Sequence, residues 1–510
     1  MFAAMGLAAA LTFAQAAPSA APVTQPVTQQ DGSAWAVPPP PPGFTLEDPG
    51  AALGFGNEAL VRSSYAEALY WYRAAADQGD AAAQFNLGTM YANGQGVPQN
   101  DVEANRWYRL AANQRYASAQ YNLGVAYSKG QGVPQDHAEA VRWFRLAADQ
   151  GDAEAQHNLG VSYDTGQGVP QNYAEAARWY RLSADQGYAM AQLSLALKNH
   201  VGLGIPLDYA EAARWYRLAA DQGNAIAQLF LGGIYESGQG VPPNQAEAFR
   251  WFGLAADQGN AAAQRAIGLA YATGRGVPQN HAEAARWYRL SADQGYAMAQ
   301  LNIALMYFDG QGVPQNDTEA ARWYRLAADQ GDATGQFFLG YMHEKGRGVP
   351  QSSAEAVRWY RLAADQGFAS AQSSLGYHYS MGRGVPQSDA EAFRWTRLAA
   401  DQGDVGLVDA FNLGFMYEQG RGVPQNYAEA IRWYRLSADK GHAPAQINLG
   451  LMYARGRGAP ENFVEAYKWL NLAAAQGEAD ALSTRDILLD LMTPAQITEG
   501  QRLAAEWRPR

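Results

Sequence analysis

Residues Asp80 to Gln114 read DAAAQFNLGTMYANG, then QGVPQN, then DVEANRWYRLAANQ. Two amphipathic helices and the loop between them are written in that stretch. In the first helix Ala83, Leu87, Met90 and Tyr91 recur at helical spacing; in the second Ala104, Trp107, Tyr108 and Ala111 follow i, i+3, i+4, i+7, so each helix has one stripe to bury. Asp80 is placed to cap the first helix, Gly94 to end it in the left-handed region, and Pro98 to stop it from continuing.

The same unit returns along the chain. Tryptophans fall at 71, 107, 143, 179, 215, 251, 287, 323, 359 and 395, a constant step of 36, then at 433 after a two-residue insertion, and at 469. A fixed period of that size marks a stacked repeat. The pair Leu87-Gly88 returns as Leu123-Gly124, Leu159-Gly160, Leu231-Gly232, Leu339-Gly340 and beyond. A glycine inside a helix costs about 1 kcal/mol relative to alanine, so its recurrence on the packed face predicts a close helix crossing.

The combination AxAQxNLGxMYxxGxGVPQN followed by EAxRWYRLAADQG resembles the Sel1-like repeat family, relatives of the tetratricopeptide repeat. The resemblance implies an all-α fold, a right-handed α/α superhelical solenoid of about eleven 36-residue helix-turn-helix repeats with terminal caps. The array spans 80–476. Residues 48–79 look like a degenerate first unit that keeps Glu67 and Trp71 but has no GxGVPQN loop, and cap the array on one side. Residues 477–510 form a helical cap on the other, beginning its last helix with the capping box Thr493-Pro494-Ala495-Gln496.

Ahead of the repeats, MFAAMGLAAALTFAQA (1–16) is a short apolar run ending in a small-x-small pattern, which reads as a signal peptide; residues 17–47, with Pro38 to Pro42 unbroken, read as a Pro/Ala-rich disordered tether. The expected location is periplasmic or secreted, with no membrane span in the mature chain. A formal charge of −11 and no basic cluster argue against nucleic acid as a partner. The absence of cysteine removes disulfides, thiolate zinc sites and cysteine nucleophiles.

Catalytic and cofactor chemistry finds no footing. The Gly-x-Gly pairs at 94/96, 130/132 and 166/168 follow a helix, lack the Lys-Ser/Thr of a nucleotide loop and recur in every unit, so they read as turns. Glu103, Glu139, Glu175, Glu211, Glu283 and Glu355 each stand three residues before an arginine in the first turn of a second helix, where a surface ion pair and the helix dipole explain them. His343 and His378 occupy adjacent columns in neighbouring repeats, yet two imidazoles fall short of a metal ligand set. No catalytic residue, metal or cofactor is expected.

The columns that vary from repeat to repeat are headed by Ala82, Phe85, Thr89, Ala92 and Asn93, one stripe of the first helix. In tetratricopeptide relatives the corresponding columns line a concave groove. Here the richest part is Leu301, Leu305 and Phe308; Phe337, Tyr341 and Glu344; Tyr377; and Phe411, Phe415 and Glu418. Aromatic residues of this kind are frequent among binding hot spots. Two readings of the Phe85 and Thr89 columns stay open, groove lining and packing between repeats, with Arg265, His157 and Ser373 weighing against a purely buried role. The repeat with Ser194, Ala196 and Asn199 departs from the pattern, as a local kink or a specialised site, and Asp404 to Asp409 carries the insertion.

The family resemblance implies an adaptor or scaffold binding a protein or extended peptide. A cell-envelope saccharide or peptidoglycan ligand is the alternative. A cysteine-rich subgroup linked to penicillin hydrolysis implies a beta-lactamase-like hydrolase as a third reading, which the lack of cysteine weakens.

Overall fold

A computed structural model describes residues 48–402 and 406–509. The signal-type segment 1–16, the tether 17–47 and the first residues of the insertion around Asp404 lie outside the described residues. Among the described residues there are 26 α-helices and no strand, arranged as tandem pairs. In the repeats from residue 81 to 475 an A helix, such as Ala81–Asn93, is followed by a glycine loop and a B helix, such as Asp101–Asn113.

The sequence explains the local geometry. The Asp80 carboxylate accepts from the Ala83 amide at 2.7 Å and Asn100 accepts from the Glu103 amide at 3.1 Å, satisfying amides that a helix start leaves free. Gly94 closes the A helix at φ 65°. Gly88 lies under the B-helix ring of its own repeat: a Cβ there would stand 2.8 Å from the Tyr108 ring. The recurrent Leu-Gly pair thus marks the crossing of A on B, with Leu87 fully buried beside it.

The chain divides into two compact units, residues 1–267 with 275–278 and residues 268–274 with 279–510. In the first unit the repeats are joined by an amide ladder. Gln114 donates to Gln84 at 2.9 Å, and Gln84 donates to the Ala76 carbonyl at 3.1 Å, so one rung ties three helices. Gln150 to Gln120, Gln186 to Gln156, Gln222 to Gln192 and Gln258 to Gln228 repeat it. On the B helices Trp107, Trp179, Trp215 and Trp251 each lie between two guanidinium groups; Trp179 has Arg145 at 5.5 Å and Arg178 at 5.2 Å from its ring. Arg145 also donates to the Tyr163 hydroxyl of the next repeat.

The departing repeat of this unit is not kinked, since its A helix runs unbroken over Ala189–Val201. Its changes lie in the core. Lys198 occupies the column that Met90 heads, only 5% exposed, and its ammonium pairs with Asp164 of the preceding repeat. Tyr180 donates to the same carboxylate at 3.3 Å, and the Tyr173 ring stands 4.7 Å from the Lys198 ammonium. Ala196 replaces the crossing glycine; Tyr216 lies instead against Phe230 of the next repeat, rings stacked at 5.3 Å and 9°.

The first helix pair of this unit, Pro49–Val61 and Tyr65–Asp77, is joined by the three residues 62–64 in place of the glycine loop. Gly56 and Tyr72 make the same close crossing there.

In the second unit the ladder continues through Gln330 to Gln300, Gln366 to Gln336 and Gln402 to Gln372, and resumes at Gln476 to Gln446. Between the last two, after the insertion, Ala410 stands where the inner glutamine belongs and Lys440 where the outer one does, so that glutamine rung cannot form. Ala304 repeats the alanine exchange of the first unit, and Tyr324 again stacks on the next repeat's phenylalanine, Phe338, at 5.0 Å and 13°. The unit ends on helix Pro494–Glu506, opened by the Thr493/Gln496 capping box, with Trp507 edge-on to Trp469 at 6.3 Å.

Candidate partner-binding face

The ten residues singled out on the A helices all belong to the second unit, and they separate by column. Those of the Phe85 column are packing residues. Phe337 is wedged between Tyr360 of its own B helix (5.6 Å) and Phe368 of the next repeat (5.3 Å); Phe411 is held the same way by Tyr434 (5.8 Å) and His442 (5.1 Å). Leu301 is likewise half-buried against the core of this unit. The first unit supplies the clearest case, since His157 sits between Tyr180 and Tyr188 and is 5% exposed. Its polarity does not keep that column in solvent: burial instead pushes its pKa down to about 4, so the imidazole stays neutral.

The Thr89 column is the exposed one. Leu305 is 44% and Tyr377 43% accessible, while Tyr341 and Phe415 are half-buried. The first unit carries Thr89, Val125, Val161, Leu197 and Gly233 at these places; the second carries Leu269, Leu305, Tyr341, Tyr377, Phe415 and Leu451. Larger side chains are thus concentrated on one stretch.

The Ala92 column stands at the A-helix ends. Phe308 meets Tyr341 of the next repeat edge-on at 6.2 Å and lies 3.8 Å from the Arg347 guanidinium, which is itself paired with Asp317 at 2.7 Å. Glu344 accepts from Tyr360 at 2.7 Å and pairs with Lys345 at 2.7 Å. Burial raises the Glu344 carboxyl, but the hydrogen bonds from Lys345 and Tyr360 outweigh it and hold the group below the usual carboxylate range. Glu418 accepts from Tyr434 at 2.8 Å. These two glutamates therefore brace the repeats as well as edging the face.

Phe308, Arg347, Tyr341, Lys345 and Tyr377 make a continuous aromatic and cationic strip across three repeats, with the Lys345 ammonium 5.7 Å from the Tyr341 ring. Sequence reasoning chose Phe308, Tyr341 and Tyr377 of this strip and missed Lys345 and the loop arginine Arg347. The signal was present in the residue between the two loop glycines, which changes from Gln95, Gln131 and Gln167 to Arg347, Arg383, Arg421 and Arg457.

The histidines in adjacent columns are both buried and engaged by backbone: His343 Nδ1 is 3.2 Å from the Pro350 carbonyl and His378 Nδ1 is 2.8 Å from the Arg383 carbonyl. Among the described residues no group of three or more His, Cys, Asp or Glu side chains is placed to share a metal, and no helix is long and apolar enough to cross a membrane. The first-turn glutamates form exposed pairs, Glu103 with Arg106 at 3.4 Å and Glu139 with Arg142 at 3.3 Å among them.

Comparison with known proteins agrees with this architecture. A search of curated proteins finds no match. Among solved structures, a protective antigen of uropathogenic Escherichia coli with an SLR fold is 34% identical, with a TM-score of 0.74, covering 86% of this chain and 94% of its own. A Sel1 repeat protein from Oxalobacter formigenes is 33% identical with a TM-score of 0.50, covering 66% of this chain and 95% of its own. The Sel1 repeat model matches twelve consecutive segments, from 50–80 and 81–116 through 409–442 and 443–478. The chain is a member of the Sel1 repeat family, an all-α tandem-repeat solenoid of the kind typical of protein-interaction scaffolds.

Proposed function

We propose that this protein is an exported, non-catalytic scaffold that holds an extended segment of a protein partner along the A-helix face of its second unit. The observation that carries the reading is the run Leu305, Tyr341, Tyr377 and Phe415, large apolar side chains at one column of successive repeats, two of them more than two-fifths exposed. A fold needs no such residues there, because Thr89, Val125 and Gly233 serve at the same column in the first unit. Aromatic side chains held on rigid helices bury large areas at small entropic cost, which suits them to anchor a partner. Phe308 and Glu344 edge the face, whereas Leu301, Phe337 and Phe411 support it from beneath. Export is supported by the signal-type residues 1–16 and by similarity to a protein described as a protective antigen.

The test is a peptide-display selection against the full chain, followed by calorimetry of the selected peptides with wild type and with a Leu305→Ala, Tyr341→Ala, Tyr377→Ala variant. Peptides that bind wild type and lose at least about tenfold in affinity on the variant are expected, the scale of one hot-spot contact. Peptides that bind both proteins equally place the site elsewhere. A soluble glycan array run in parallel would overturn the peptide reading if saccharides bound and no peptide did.

A further inference from the structure

The loop between A and B helices carries one residue between its two glycines. In the first unit that residue is glutamine in four loops, Gln95, Gln131, Gln167 and Gln239, and leucine at Leu203, so the fold has no need of a charge there; the first unit's one arginine at this place, Arg275, is paired with Glu236 at 3.6 Å. In the second unit Gln311 is followed by arginine in four successive loops, Arg347, Arg383, Arg421 and Arg457. Arg347 is consumed by Asp317. The other three have no carboxylate within ion-pair distance among the described residues and are exposed. At the place equivalent to Asp317 stand Ser353 for Arg383 and Tyr427 for Arg457; for Arg421 it is Asp389, yet that guanidinium turns onto a ring instead.

All three lie over aromatic faces: Arg383 over Tyr377 at 5.5 Å, Arg421 over Phe415 at 5.4 Å and Arg457 over Tyr427 at 5.7 Å. A guanidinium held by its flat face keeps its N–H edge free, and that edge matches a carboxylate in a two-pronged hydrogen bond. Two of the rings, Tyr377 and Phe415, belong to the face described above, so cation and apolar anchor alternate from repeat to repeat. Exposed arginines without a carboxylate partner in three consecutive repeats of a chain with net charge −11 leave three guanidinium edges open to a carboxylate from outside.

We infer that the second unit binds an extended acidic peptide, its carboxylates on Arg383, Arg421 and Arg457 and its apolar side chains on Leu305, Tyr341, Tyr377 and Phe415. This rests on the peptide-scaffold reading and adds the chemistry of the partner. A peptide fits better than a uniform polyanion because the acids Asp317, Glu344 and Glu418 are interspersed along the same strip, where a continuous line of phosphates or sulfates would meet them. Carboxylates spaced by apolar residues avoid that repulsion.

The test measures fluorescence anisotropy of a fluorescein-labelled peptide alternating Glu with Leu and Phe, against the full chain at low salt. The same peptide with Gln in place of Glu, and dextran sulfate as a competing polyanion, complete the set. The protein variant is Arg383→Gln, Arg421→Gln, Arg457→Gln, which installs the residue the first unit already folds with. Expected are binding of the Glu peptide to wild type, at least tenfold weaker binding to the variant, and a Gln peptide that does not distinguish the two proteins. Equal binding of the Glu peptide to both proteins, no binding to either, or dextran sulfate displacing it far more effectively than unlabelled Glu peptide would each overturn the inference. If the Glu and Gln peptides bind wild type equally well and both are lost in the Leu305→Ala, Tyr341→Ala, Tyr377→Ala variant, the scaffold reading stands while the acidic partner falls.

Discussion

The two units are built on one template and differ in what they do with its free positions. In the first, the departures are buried: Lys198 and Asp164 form an ion pair where Met90 and Ala92 stand in the opening repeats, and His157 fills a place taken elsewhere by Phe85 or Leu193. In the second, His343 and His378 are buried departures as well, but Leu305, Tyr377 and the loop arginines emerge at the surface. A repeat framework tolerates polarity inside when a partner in the adjacent repeat receives it. It also accommodates apolar and cationic groups on its solvent side, and the proposed partner face of the second unit is built from those positions.

The sharpest way to break this comparison is at the buried pair. Replacing Asp164 by Ala strands the Lys198 ammonium in a site where its side chain is 6% exposed, and should cost about 3–5 kcal/mol in a denaturant titration. The double change Asp164→Ser, Lys198→Met, which installs Ser128 and Met90 of other repeats, should recover most of it. If the single variant loses less than about 1 kcal/mol, the pair is solvated and the contrast between the units weakens.

The next effect is pH. Burial lowers the His157 pKa to about 4, below the 6.5 of an unfolded histidine, so the unfolded chain takes up the proton first. The stabilising preference for neutral imidazole is complete above pH 6.5 and is lost progressively as pH falls toward 4, by up to about 3 kcal/mol for a shift of that size. His200 and His442 are shifted down by burial too and add in the same direction. The difference in melting temperature between wild type and His157→Phe should be constant near pH 7 and shift in favour of the variant as pH falls toward 4; a difference independent of pH would mean that His157 is hydrated.

A smaller effect sharpens the common part of the template. Gly340→Ala puts a Cβ 2.8 Å from the Tyr360 ring and should cost about 1–3 kcal/mol, whereas the chain itself carries alanine at Ala196 and Ala304. Those two are tolerated because Tyr216 and Tyr324 stack on Phe230 and Phe338, so adding Ser374→Phe to Gly340→Ala should restore part of the loss measured by thermal unfolding. No recovery would show the phenylalanine to be incidental.

Much of this was legible in the sequence. The 36-residue tryptophan step, the Asp80 cap, Gly94 and the Leu-Gly crossing each follow from one local rule applied many times. The Thr493 box could be read in the same manner. The site was legible only by column. Variation singled out the Phe85 and Thr89 columns together, because they are neighbours on one helix face, but only contacts between repeats separate Phe337, wedged by Phe368, from Tyr377, open to solvent. Lys198 and Asp164 lie 34 residues apart, and nothing within either repeat reveals that they meet. The loop arginines escaped because a turn reading accounted for their glycines and drew attention from the residue between them.

The missing glutamine rung at Ala410 has a mechanical meaning. In a one-dimensional stack, load passes from each repeat only to its neighbours, so the array is as strong as its weakest joint. Elsewhere in the second unit the described rungs, such as Gln366 on Gln336, clamp three helices; at the joint between Asp389–Ala400 and Leu407–Gln419 the inner amide is absent and the chain is longer. Pulled from its ends in an optical trap, this unit should part first at that joint, and restoring the rung with Ala410→Gln and Lys440→Gln should raise the force of the first rupture.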